Sequence, residues 1–438
     1  MKIKTTATQI SGSLSVPGSK SHTIRAGLFA ALAEGESKII NPLPSADCLS
    51  CMRVIQDLGA KVRFTDEGWF VTGIAGNLKQ PSCVLDVGNS GTLLHFLTGI
   101  VSTIRGWAVI TGDKSICTRP INDQLAALRQ LGAQAFTTRD TVNAPPVILK
   151  GPVHCGTVVM EGELSQHVSG LLMAGALTSG KTRIELTRPK EIPFVKMTID
   201  WLRSVGIDVA YDKENLSWLE IEGPNKFKRF ERAIPSDWEG IAFPLAAAIL
   251  TGSTLRIDHI DCSGSQGDEA IVDVLRRMGA DIVVDKVNEC LTVKGGTALH
   301  GITATCSDFP DALPVLSVVA AFAQGVSRFT DIGVCRLKES DRITLMKREL
   351  EKLGAELLEG PDFLEIHGGL PLHGGVVESY DDHRIAMAMA VCGMAITDGS
   401  VIVNDAECCS VSFPGFYEIM NKVGARFEML DGEAEKHV

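Results

Sequence analysis

The chain has 438 residues, 45% of them hydrophobic and 22% charged, with a formal net charge of −11. That length exceeds what one hydrophobic core usually fills, so two domains are expected, and the acidic balance argues against a broad nucleic-acid surface. The longest strongly apolar run, Ile385 to Ile396, is too short to cross a bilayer and the N-terminus has no signal-peptide layout, so the expectation is a cytoplasmic protein with no membrane partner.

The first apolar helix runs through Ala26-Gly27-Leu28-Phe29-Ala30-Ala31 and is preceded by Lys20-Ser21 and Arg25; a second helix ends at Leu58-Gly59-Ala60. The next apolar run, Leu93 to Ile100, follows Asn89-Ser90-Gly91-Thr92. After it come the strand Trp107 to Thr111, then Thr118-Arg119-Pro120, and a helix end at Leu131-Gly132-Ala133. Ser165-Gln166 precedes the run Gly170 to Ala174, with a helix end at Val205-Gly206. Asp237-Trp238-Glu239-Gly240 precedes Phe243 to Ala248, and Met278-Gly279-Ala280 ends the following helix before the alternating strand Asp281-Ile282-Val283-Val284. Asp311 precedes Val315 to Ala321, and Lys338-Glu339-Ser340-Asp341-Arg342 opens an amphipathic helix ending at Leu353-Gly354-Ala355. Finally Asp382-His383-Arg384 precedes Ile385 to Ala388, and Val423-Gly424-Ala425 ends the last helix.

The six terminal glycines are 73, 74, 73, 75 and 70 residues apart, which makes the chain a sixfold array of α/β units. In each unit one helix is too apolar to lie on a surface, and the polar residues cluster where that helix begins. A helix N-terminus offers unpaired N–H groups and a positive dipole end, so parallel buried helices would open several anion-attracting ends on one face. Ser, Asn and Asp there are equally ordinary N-caps. Capping does not explain Lys20, Arg25, His383 or Arg384, because cations at a helix start oppose the dipole. Lys338 to Arg342, read alone, is a solvated first turn.

Other chemistries find little support. Cys48-Leu49-Ser50-Cys51 is a lone pair, adjacent Cys408-Cys409 reads as packing, and the twelve cysteines read as reduced core residues. Gly12 to Ser21 does not fit a nucleotide phosphate loop, since Pro17 stands where the second glycine belongs and Ser19 separates Gly18 from Lys20.

Together these motifs resemble the enolpyruvyl transferases. The likeness covers essentially the whole chain, through Pro17-Gly18-Ser19-Lys20-Ser21 with Arg25, Gly88-Asn89-Ser90-Gly91-Thr92, Thr111-Gly112-Asp113 with Arg119-Pro120, Ser165-Gln166, Pro310-Asp311-Ala312, Lys338 to Arg342, Asp382-His383-Arg384 and Ser412-Phe413-Pro414. It implies an α/β (α+β) fold: a two-domain inside-out α/β barrel of six βαβαββ repeats, three per domain. The expected domains are 18–233, and 1–17 plus 234–438, with the active site in the cleft between them. It also implies transfer of the enolpyruvyl group of phosphoenolpyruvate to the 5-hydroxyl of shikimate 3-phosphate, by a monomer needing neither metal nor cofactor.

The resemblance assigns phosphoenolpyruvate to Lys20, Asn89, Gly91, Thr92, Arg119, Gln166, Arg342 and Arg384, and shikimate 3-phosphate to Lys20, Ser21, Arg25, Ser165, Gln166, Asp311 and Lys338. Asp311 would handle the hydroxyl proton and Glu339 the vinyl carbon, with Lys20 and His383 completing the catalytic set. Several positions depart from the family pattern. Leu164 replaces a Ser, Glu191 a phosphate-binding Ser, Phe194 a Tyr, Val334 an Asn, Glu239-Gly240 a small-hydroxyl pair, and Val411 a Lys that usually contacts phosphoenolpyruvate. A sister transferase acting on another anionic alcohol, and an idle phosphate-binding paralogue, are the alternatives; the paralogue would not need Asp311 and Glu339.

Overall fold

The computed structural model describes residues 1–430 and forms two compact units, one of Met1–Pro17 with the chain from Ser236 onward, the other of Gly18–Pro235. The end of the expected second domain, 431–438, lies outside the described residues.

All six helix-end glycines adopt positive φ, from 92° at Gly206 to 106° at Gly59 and Gly424. Each closes the same paired cap: Gly59 N–H donates to the Gln56 carbonyl and Ala60 N–H to that of Ile55, and Gly424 and Ala425 do likewise to Asn421 and Met420. Only glycine takes that left-handed position without a Cβ clash, so the chain reverses there into a strand.

Six four-stranded sheets share one order, a parallel pair at one side followed by two antiparallel steps. Thr157–Glu161 runs parallel to Gly180–Thr187, which pairs antiparallel with Trp218–Gly223, and that strand with Val209–Tyr211. Three sheets are completed by distant strands. Glu231–Ala233 joins Glu36–Ile40, Ser11–Ser15 joins Thr254–Asp258, and Lys2–Thr6 lies between Ser400–Asn404 and Phe427–Leu430.

Each unit is inside out: the apolar helices fill the core and the sheets form the wall. Every residue of Lys20–Leu32, Gly91–Val101 and His383–Ala395, save the terminal Ala395, is buried, whereas the strand Thr157–Glu161 alternates exposed and buried positions. Lys20–Leu32, Gly91–Val101 and Ser165–Leu177 pack in one core, and Trp238–Leu250, Leu313–Phe322 and His383–Ala395 in the other. Two of these helices touch backbone to backbone, since a Cβ on Gly99 would lie 2.0 Å from the Gly170 carbonyl oxygen.

Among the described residues no helix is long and apolar enough to cross a membrane. Cys48, Cys51, Cys408 and Cys409 are buried, but Cys83 and Cys155 are exposed and Cys117 and Cys262 half-buried, so the reading of the cysteines as core residues fails at those four.

Candidate active site

In the unit that contains Met1, three core helices bring their starts together. Asp382 caps His383–Ala395 by accepting from Arg384 N–H (3.0 Å), and Asp237 caps Trp238–Leu250 by accepting from Glu239 N–H (3.3 Å). Asp311 lies in the turn Pro310–Ala312 that leads into Leu313–Phe322. Arg384 links all three ends, with Nη2 on Glu239 and Nε 3.5 Å from Asp311 Oδ1.

Arg342 is fully buried, which overturns the solvated reading of its segment. Its helix, Arg342–Glu351, starts at Arg342 itself, and Lys338 to Ser340 form the approach to it. Its guanidinium donates to Asp382 Oδ2 through Nε (2.8 Å), to Glu339 Oε2 through Nη2 (2.6 Å), and to Asp311 through Nη1. Lys338 Nζ stands 3.5 Å from Asp311 Oδ2. Burial opposes charge on Arg342, but Asp382, Glu339 and Asp311 outweigh it and raise its pKa.

The Asp311 carboxyl is desolvated, which alone would raise its pKa, yet Lys338, Arg384 and Arg342 hold it well below the usual carboxylate range. It is therefore ionised and, in this state, a weak base. Anions that pair with those cations would restore its basicity. Behind it Asp268 is buried, and desolvation together with the charges of Glu239 and Asp311 pushes its pKa up against the pull of Arg384. Its Oδ1 has no hydrogen-bond partner. His383 is buried in the first turn of its helix.

The unit Gly18–Pro235 holds the remaining assigned residues, most of them at equivalent helix starts, with Arg119 at the end of the turn Ile116–Thr118. Lys20 Nζ lies 3.2 Å from Asp47 Oδ2, both nearly buried. Arg25 donates to Thr198 Oγ1 (2.9 Å), the Ser21 carbonyl (3.0 Å) and the Phe194 carbonyl (3.0 Å), and stacks over the Phe96 ring. The Arg119 guanidinium lies beside Gly91, 3.7 Å from where a Cβ on that glycine would stand, an ordinary contact distance. Gln166 Nε2 donates to Thr92 Oγ1 (3.0 Å), and Asn89 Nδ2 to Asp113 Oδ2 (2.6 Å).

Ser165 meets an occupant. Leu164 supplies no cap to Ser165–Leu177; instead Glu191 Oε2 accepts from Ser165 N–H (3.0 Å) and Ser165 Oγ (2.7 Å). Glu191 is buried with φ of 51°, a left-handed conformation unusual outside glycine. Phe194 is likewise buried in the helix that follows. Val411 ends the short turn Ala406–Val411, half-buried.

Sequence reasoning assigned no role to Asp47, Asp268 or Asp382. Asp382 stood in the Asp-His-Arg triplet and was legible as a cap; Asp47 and Asp268 sit in helix starts with no charge pattern to mark them. Among the described residues no group of three or more His, Cys, Asp or Glu is placed to hold a metal.

The family model described as EPSP synthase (3-phosphoshikimate 1-carboxyvinyltransferase) matches residues 4–420. A 3-phosphoshikimate 1-carboxyvinyltransferase of Ruminiclostridium cellulolyticum is 38% identical, across 98% of this chain and 100% of that one. Another from Methanococcus aeolicus is also 38% identical, across 95% and 97%. The solved EPSP synthase of Acinetobacter baumannii superposes with a TM-score of 0.82 at 28% identity, covering 98% of this chain and all of that one. The enolpyruvyl transferase NikO of Streptomyces tendae, 21% identical, shares the fold with a TM-score of 0.79, covering 98% of each chain. With ordered motifs, repeated sheets and a match along nearly its whole length, the chain belongs to the EPSP synthase family.

Proposed function

We propose that this enzyme transfers the enolpyruvyl group of phosphoenolpyruvate to the 5-hydroxyl of shikimate 3-phosphate and releases phosphate. The observation that supports it best is the set of carboxylates and cations at three helix starts, Asp311 and Glu339 among Lys338, Arg342 and Arg384. Phosphoenolpyruvate brings a phosphate and a carboxylate, and planar guanidiniums bind both groups well. Arg342 and Arg384, with Lys20, Arg119, Gly91, Asn89, Thr92 and Gln166, are assigned to it. Ser21, Arg25, Ser165 and Lys338 are assigned to the acceptor.

Addition removes the acceptor hydroxyl proton, bonds that oxygen to C2 of phosphoenolpyruvate and adds a proton to the vinyl carbon, forming a tetrahedral intermediate; elimination takes a proton back from the new methyl group, re-forms the double bond and breaks the C–O bond to phosphate, which leaves with the proton first taken from the hydroxyl. Asp311 takes the hydroxyl proton once donor anions have drawn off its cations, and Glu339 serves the vinyl carbon. Cytoplasmic location and a monomeric state belong to the same reading.

Phosphate release from phosphoenolpyruvate and shikimate 3-phosphate tests it. Wild type should turn over, and Asp311→Asn should lower kcat by roughly 100-fold or more with a smaller change in acceptor binding. Near-wild-type turnover would remove Asp311 from the mechanism. The Glu191 carboxylate on Ser165 favours a second reading, in which the same donor chemistry serves an acceptor with no anion at that position. No phosphate release with shikimate 3-phosphate, alongside tight phosphoenolpyruvate binding, would select it.

A further inference from the structure

Around Arg342, Arg384 and Lys338 the ion pairs involve four carboxylates, Asp311, Glu339, Asp382 and Glu239. Among the ion pairs described in this unit, three cations meet four carboxylates before any ligand arrives. A donor carrying a phosphate and a carboxylate would enlarge that excess in a buried, weakly screened place. A donor that is to contact Arg384 meets a guanidinium already held by internal carboxylates.

The four are not equally fixed. Asp382 is fully buried, caps its helix, and accepts from Ser340 and from Arg342 twice. Asp311 sits among Arg342, Lys338 and Arg384, and Glu339 is tied to Arg342 within its own segment. Glu239 meets the site through Arg384, at the end of a flexible side chain in the first turn of Trp238–Leu250. It is 8% exposed and pairs directly with Arg384, whereas Asp268 behind it is 3% exposed and favours its neutral form.

We propose that the Glu239 carboxylate is an internal stand-in for the donor on Arg384, one that phosphoenolpyruvate must displace, so that Glu239 sets the donor affinity of this enzyme. This rests on the assignment of Arg384 to phosphoenolpyruvate made above. Glu239 holds the guanidinium in place and neutralised while the site is empty, and it competes with the ligand by the same charge-assisted contact. It is a positioning residue, and its mark is on donor KM rather than on both substrates.

Glu239→Gln keeps the side-chain length and an oxygen that can accept from Arg384 while removing the charge. Steady-state kinetics should give a KM for phosphoenolpyruvate lower by about 10-fold, with the KM for shikimate 3-phosphate changed by less than about 3-fold. Glu239→Ser should move donor KM in the same direction, and melting curves on both variants show whether the fold survives. An unchanged or raised donor KM in a folded variant would overturn the proposal. If wild type releases no phosphate from this substrate pair, the functional reading fails by itself. Calorimetric titration of phosphoenolpyruvate into wild type and Glu239→Gln then still decides the matter, tighter binding by the variant supporting the stand-in and equal binding refuting it.

Discussion

At the scale of single residues, the site is governed by which charges burial permits. Asp268 has its pKa raised by desolvation and by Glu239 and Asp311, so its stabilising form is the protonated one. A raised carboxyl pKa contributes stability that is complete below the unfolded value of about 3.9 and is lost as pH rises through the folded value. Asp268→Asn carries no such proton, so its melting temperature relative to wild type should climb as pH rises above about 4. A flat difference would show that Asp268 stays ionised. The sequence made Arg384 legible as a cation at a helix start, which capping does not explain, whereas Asp311, Lys338 and Arg342 were legible only through the ordered motifs taken together. It left Glu239 legible only as a departure and Asp268 not at all. Whether a carboxylate at a helix N-terminus caps its own helix or reaches a guanidinium on another depends on packing that local pattern does not encode.

Among the elements, the repeat was the clearest message of the chain. A glycine after an apolar helix end has one common structural use, and all six positions took it. At Gly59 the nearest atom to an added Cβ is Ile74 Cγ2 at 3.6 Å, so space is available and only conformation resists. Gly59→Ala should therefore cost about 1 kcal/mol in urea unfolding. Gly99→Ala meets the Gly170 carbonyl at 2.0 Å and has to push two core helices apart, so a loss of roughly 3 kcal/mol or more is expected. Equal costs would mean that the helices can separate without strain. Strand partners were less readable. Parallel pairing of Ser11–Ser15 with Thr254–Asp258, or of Glu231–Ala233 with Glu36–Ile40, joins segments far apart in sequence, and periodicity carries no address for a distant neighbour.

For the whole molecule, the two units differ in self-sufficiency. Residues 18–235 contain every strand of their three sheets, whereas two of the three sheets in the other unit need strands from 1–17. Expressed alone, 18–235 should unfold in one cooperative step, and 236–438 should not, unless a peptide of residues 1–17 is supplied. A cooperative transition from 236–438 by itself would show that those two strands are dispensable. The same arrangement has a consequence for synthesis on the ribosome. Ile3 pairs with Val403, so the first strand emerges about 400 residues before its partner exists. At roughly 5 to 20 residues per second that is a wait of roughly 20 to 80 s. Throughout it, the strand's backbone donors and acceptors, together with Ile3 itself, are open to any passing chain. The unit that starts last and finishes first is complete long before then, with the N-terminal segment beside it still an unpaired strand.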